Sequence, residues 1–63
     1  MTKYILTKDI AYGIAALDEE GNILQTVPAI HTDEKTVSEF VAMCNTEELE
    51  LVHLNNVIED FRS

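Results

Sequence analysis

Residues 10–23 read IAYGIAALDEEGNI, and this stretch decides the fold. Ile10, Tyr12, Ile14 and Ala16 share one face of an extended segment, while Ala11, Gly13, Ala15 and Leu17 share the other. A strand that is apolar on both faces is a central strand covered on both sides. Strands favour β-branched and aromatic residues, yet Gly13, Ala15 and Ala16 make YGIAA (12–16) thin. Small residues in a strand mark the close approach of another layer. The expectation is a helix against one face and a second chain against the other. The pattern leaves open which face meets which.

The second half of the stretch, DEEGN (18–22), is the clearest turn in the chain. Asp18 starts a type I turn, and Gly21 takes the positive φ that closes a hairpin with a bulge. Upstream, TKYILTKD (2–9) is a first strand, with Tyr4 and Leu6 on one face and Lys3, Ile5 and Thr7 on the other. Lys8-Asp9 is the expected tight turn into the second strand. Tyr4 and Tyr12 share the parity of Ile14, which predicts cross-strand packing with both hydroxyls in water. Downstream, NILQTV (22–27) returns as a third strand, with Ile23 and Val27 on one face beside Gln25. Pro28 lacks an N–H, so it ends the pairing or marks an edge.

Past the strands, the apolar period changes from two to between three and four. HTDEKT (31–36) opens a helix with Thr32 or Asp33 as N-cap, and Asp33 and Glu34 suit its positive end. Val37, Phe40, Val41 and Cys44 form one stripe. Asn45 is the expected left-handed cap. LELV (49–52) is either extended or the first turn of the last element. From His53 the pattern is helical again, with Leu54, Val57, Ile58 and Phe61 as its stripe and Arg62 near its end. Two short helices with one stripe each do not stand alone. The predicted fold is α+β: a three-stranded antiparallel meander, order 1-2-3, with two C-terminal helices packed on one face (β-β-β-α-α). Residues 1–63 form a single small domain.

The spacing also resembles, end to end, a family of small bacterial proteins from Gram-positive anaerobes that has no assigned activity. YGIAALDEEGN, IHTDEKTVSEFVAMCN and HLNNVIEDF carry the likeness. The resemblance implies a complete protein rather than a fragment, and it brings no site residues with it.

A chain of 63 residues buries a marginal core. Such chains are commonly reinforced by disulfides, a metal or oligomerisation. Cys44 is the single cysteine, which excludes an internal disulfide, and one Cys with His31 and His53 shows no zinc-ligand spacing. Oligomerisation is the remedy left. Twelve acidic residues against four basic ones give a net charge of −8, which repels nucleic acid and anionic membranes and suits a basic partner. No apolar run reaches the ~18 residues of a membrane span, and MTKYILTKD lacks a signal peptide's apolar region. With a lone thiol, this predicts a cytoplasmic protein.

No catalytic motif is present. Cys44 falls late on an apolar helical face, the setting of an inert buried thiol. His31 reads as closing the strand-to-helix turn, and His53 as an N-cap or first-turn residue partly covered by the neighbouring helix. The acidic clusters at 18–20, 33–34, 47–50 and 59–60 lack the calcium-loop pattern and suit solvated turns and helix ends. The expectation is therefore a protein that is not an enzyme and needs no cofactor or metal. It would be a small acidic self-associating protein-interaction module: a homodimer with an unidentified protein partner, binding neither nucleic acid nor membrane. The candidate self-association face is Ala11, Gly13, Ala15 and Leu17. The alternative is an acidic inhibitor or nucleic-acid mimic that occupies a basic protein surface.

Overall fold

A computed structural model describes residues 2–62. Three strands, β1 (Lys3–Lys8), β2 (Tyr12–Leu17) and β3 (Ile23–His31), precede helix α1 (Glu34–Thr46), a 3₁₀ turn (Leu51–His53) and helix α2 (Leu54–Arg62). The sheet is antiparallel in the order β1-β2-β3. The fold is the predicted α+β meander followed by two helices.

The face that meets the helices carries Tyr4, Ile14 and Ala16. These are buried with Ile30, with Val37, Phe40, Val41 and Cys44 of α1, and with Leu54 and Ile58 of α2. Leu6, Tyr12, Val27, Val57 and Phe61 border that core. Both predicted helical stripes therefore point at the sheet, α1 mainly over β1 and α2 over β3.

The first hairpin departs from its expected form. Lys8-Asp9 is not a tight turn, because Lys8 disfavours the positive φ that a two-residue loop demands and no glycine is present. Asp9–Ala11 make the connection instead, with the Asp9 N–H donating to the Ala11 carbonyl at 2.9 Å. Ile10, expected in the strand, sits at the loop tip and is 97% exposed, and Ala11 precedes β2. The second hairpin is as expected. Gly21 has φ 89°, and its N–H donates to the Asp18 carbonyl at 3.1 Å. The Asp18 carboxylate accepts the N–H groups of Glu20 and Asn22 at 2.8 and 2.9 Å.

Pro28 does not end β3. Tyr12 pairs with His31 and Ile14 with Val27, so Pro28, Ala29 and Ile30 together stand opposite Gly13. Ala29 adopts φ 57° in this excursion. An edge strand tolerates both the proline and the irregularity. Room for it comes from Gly13. A Cβ there would collide with the Val27 carbonyl oxygen and lie 2.8 Å from Pro28 Cα and 2.9 Å from Thr7 Oγ1. The close approach that YGIAA signals at this position is made by the chain's own third strand. A second irregularity, between the Ala16–Gln25 and Leu17–Ile23 pairs, inserts Leu24. It changes the phase of β3, so Ile23 and Val27 do not share a face. Val27 borders the core, whereas Ile23 is 68% exposed.

Asp33 is the N-cap of α1, its carboxylate accepting the Thr36 N–H at 3.2 Å. Asn45 is not a left-handed cap. It lies inside α1, and Glu48 takes the positive φ, at 52°. The Asn45 side chain is engaged elsewhere: Oδ1 accepts the Tyr4 N–H and Nδ2 donates to the Tyr4 carbonyl, each at 2.8 Å. The Tyr4 hydroxyl is not in water either, since it donates to the Leu49 carbonyl at 2.7 Å. Burial requires this, because a phenol O–H enclosed without an acceptor costs ~1–3 kcal/mol. Across the sheet, Gln25 Nε2 donates to Asn55 Oδ1 at 2.9 Å, tying β3 to α2.

Gly13→Ala tests the account of the thin strand. Ordinarily alanine improves a strand slightly over glycine; here the methyl group meets backbone. The expected result is a loss of about 1–3 kcal/mol in urea unfolding, typical of overpacking. An unchanged midpoint would show that β3 yields freely at Pro28.

Candidate functional site

Groups capable of chemistry are committed to local structure. Cys44 is fully buried in the core, and burial, followed by the charge of Glu47, pushes its thiol pKa up. His31 Nδ1 accepts the Asp33 N–H at 3.0 Å, closing the strand-to-helix turn as expected. Its ring stands edge-on to Phe61, 6.4 Å between centroids. His53 ends the 3₁₀ turn and is exposed rather than partly covered. The structure brings Cys44, His31 and His53 into no common site. Among the described residues, no group of three or more His, Cys, Asp or Glu is placed to hold a metal ion.

Asp18 and Asp33 are held below their ordinary pKa by hydrogen bonds within their own turns. For Asp18 the main cause is the backbone N–H of Asn22, with its side-chain amide next. For Asp33 the main cause is the Thr36 hydroxyl. Both carboxylates organise a turn or a helix start.

What remains is surface. The sheet face away from the helices contains the candidate residues Gly13, Ala15 and Leu17. Gly13 and Ala15 are buried. Ala15 lies between the flanking Ile5 and Thr26, and its short side chain does not reach past them. Leu17 lies between Lys3 and Ile23 and is half-buried. Ala11 is half-buried in the first loop. The apolar area that reaches water here comes from Ile5 (36% exposed) and Ile23 (68%), with Leu24 (46%) on the adjoining irregularity. Alternation along β1 marks Ile5 in the sequence; nothing in it marks the phase change that exposes Ile23.

On the opposite side, α1 and α2 flank a shallow, open groove of about 280 Å³ lined by Phe40, Met43, Val57, Asp60 and Phe61. The rings of Phe40 and Phe61 in its lining lie 4.6 Å apart and are tilted by 32°. Met43, at the edge of the α1 stripe, was the residue that the stripe pattern passed over. A hollow of about 280 Å³ also lies at the second hairpin, between Thr2, the Asp18–Glu20 carboxylates and Leu24.

No protein-family model matches the chain, and no curated protein or solved structure matches it. No helix of the described residues is long and apolar enough to cross a membrane.

The position of Cys44 sets its reactivity. A water-soluble disulfide reagent is expected to modify it only as fast as the core opens, and at once in concentrated guanidinium. Rapid modification of the folded protein would place the thiol at the surface instead.

Acid should act through Asp18 and Asp33. Their folded pKa values are lowered. The stability they add is therefore fully present above the ordinary aspartate range, near pH 4, and fades as pH falls through the lowered values. Asp18→Asn and Asp33→Asn are expected to flatten this acid limb in pH-dependent thermal unfolding. Limbs as steep as the wild type would contradict the hydrogen-bond assignment.

Proposed function

We propose that the chain is a small acidic protein-interaction module that associates with a second copy of itself, and that it is kin to the small bacterial proteins it resembles. One observation carries the reading: two short helices cover a single face of a three-stranded sheet, and the bare face holds Ile5, Leu17 and Ile23, with Leu24 beside them. Lys3 is the one charged residue paired into these rows. A second copy of the same face is a suitable cover for a surface this apolar, and two-fold pairing is the commonest form of self-association. Ala11 and Leu17 of the original candidate face would take part at its margins. Gly13 and Ala15 would contribute flatness rather than contact. We place the protein in the cytoplasm and assign it no enzymatic role. The alternative, an acidic inhibitor or nucleic-acid mimic, draws on the concentration of carboxylates in the helical half.

Size limits the strength of this contact. Three strands spaced ~4.8 Å, taken over the six-residue length of β1 and β2 at a rise of ~3.3 Å per residue, present roughly 300 Å². A standard interface buries about 800 Å² per partner. Pairing through this face is thus weak, and the −8 charge opposes it at low salt. Sedimentation equilibrium should show a monomer–dimer equilibrium that salt shifts toward the dimer and Ile23→Lys abolishes. A monomer at every concentration and salt level would overturn the reading.

A further inference from the structure

The groove between α1 and α2 points to a partner of definite chemistry. Its lining includes two aromatic rings, and its Met43 and Val57 are half-buried. Met43 is flexible and polarizable, suited to surfaces that accept varied apolar side chains. The surroundings are acidic. Eight of the twelve carboxylates and two of the four basic residues lie from Asp33 to Arg62, so this half carries −6 of the −8 net charge. Asp60 lines the groove itself. Glu39 precedes Met43 by one turn of α1, and Glu47, the C-cap residue, follows it by four positions.

We infer that this groove binds a basic amphipathic helix of another protein, its apolar stripe on Phe40, Met43, Val57 and Phe61 and its Lys or Arg residues over the acidic rim. The inference deepens the interaction-module reading and names the partner's chemistry. Length agrees with it. The lining residues span one turn of each helix, Phe40 to Met43 on α1 and Val57 to Phe61 on α2, which seats about one to two turns of a third helix. Anchors at i and i+3 or i+4 span that distance. Two copies of this chain do not suit each other here, since like-charged rims would meet. The sheet face and the groove lie on opposite sides, so self-association and partner binding need not compete.

The probe is a synthetic 14-residue helix-forming peptide with Leu at i, i+4, i+7 and i+11 and Lys elsewhere, followed by fluorescence anisotropy. Its controls are a scrambled peptide of the same composition and a version with Glu for every Lys. The expected dissociation constant is on the order of 10 μM, as befits a small contact, with no binding of the Glu peptide. Met43→Gln keeps side-chain length and helix propensity, and is expected to weaken binding about tenfold or more by removing an apolar anchor. The exposed pair Glu39→Gln with Glu47→Gln should weaken it about three- to tenfold, as for two surface ion pairs. Equal binding of the scrambled peptide, or no effect of Met43→Gln, would overturn the groove and leave charge alone, as a mimic requires. Sedimentation of the same variants separates the two readings. A dimer that persists while the peptide fails to bind sinks the groove proposal alone; peptide binding to a strict monomer sinks self-association alone.

Discussion

Tyr4 is held in three places by residues more than forty positions away. Asn45 takes its backbone N–H and its carbonyl, and the Leu49 carbonyl takes its hydroxyl. The ring, 1% exposed, fills the core between. Burying such a side chain contributes ~1.5–3 kcal/mol, and each hydrogen bond adds ~0.5–1.5 kcal/mol net. Position matters more than the sum. β1 is an edge strand, and the groups that Asn45 binds are the ones an adjoining strand would use. The amide therefore completes the ladder at Tyr4 while fixing the end of α1 over β1. Burial of Ile14 and Ala16 beneath α1 follows from that placement.

A second constraint fixes the other edge. β3 carries three residues opposite Gly13, and only a residue without Cβ lets that backbone come so close. The excursion delivers Ile30 to the core from a strand whose earlier apolar residues, Ile23 and Leu24, face water. Gln25 then ties the same strand to Asn55. Each edge of the sheet is thus joined to one helix by a side-chain amide, and the central strand carries none of this.

The fold was legible where periodicity is strict. Val37, Phe40, Val41 and Cys44 repeat at helical spacing and are buried as a set, and DEEGN closes its hairpin through Gly21. Legibility failed where one residue changes phase or partner. The alternation of β3 assumes a regular ladder, and the two irregularities break it without a sequence mark beyond Pro28. Asn45 looked like a cap because asparagine often is one; its true partner lies 41 residues away, beyond any local pattern. The candidate face had the same difficulty. Gly13 and Ala15 looked like the mark of an outside partner. For Gly13 the near neighbour is β3, and Ala15 sits between Ile5 and Thr26. The helix groove left no signature, since a trough between two helices belongs to neither helix's own stripe.

The grip on Tyr4 also bears on how the molecule comes to be made. A ribosome delivers β1 first and Asn45 and Leu49 much later, and contacts so distant in the chain are slow to reward the ordering they require. Until α1 has emerged, the meander has no cover on its apolar face, and three bare strands are marginal at best in water. The three strands therefore leave the ribosome without a stable structure to adopt. The emerged strands then hold only four of the twelve acidic residues and two of the four basic ones, so repulsion between growing chains comes mainly with the helices.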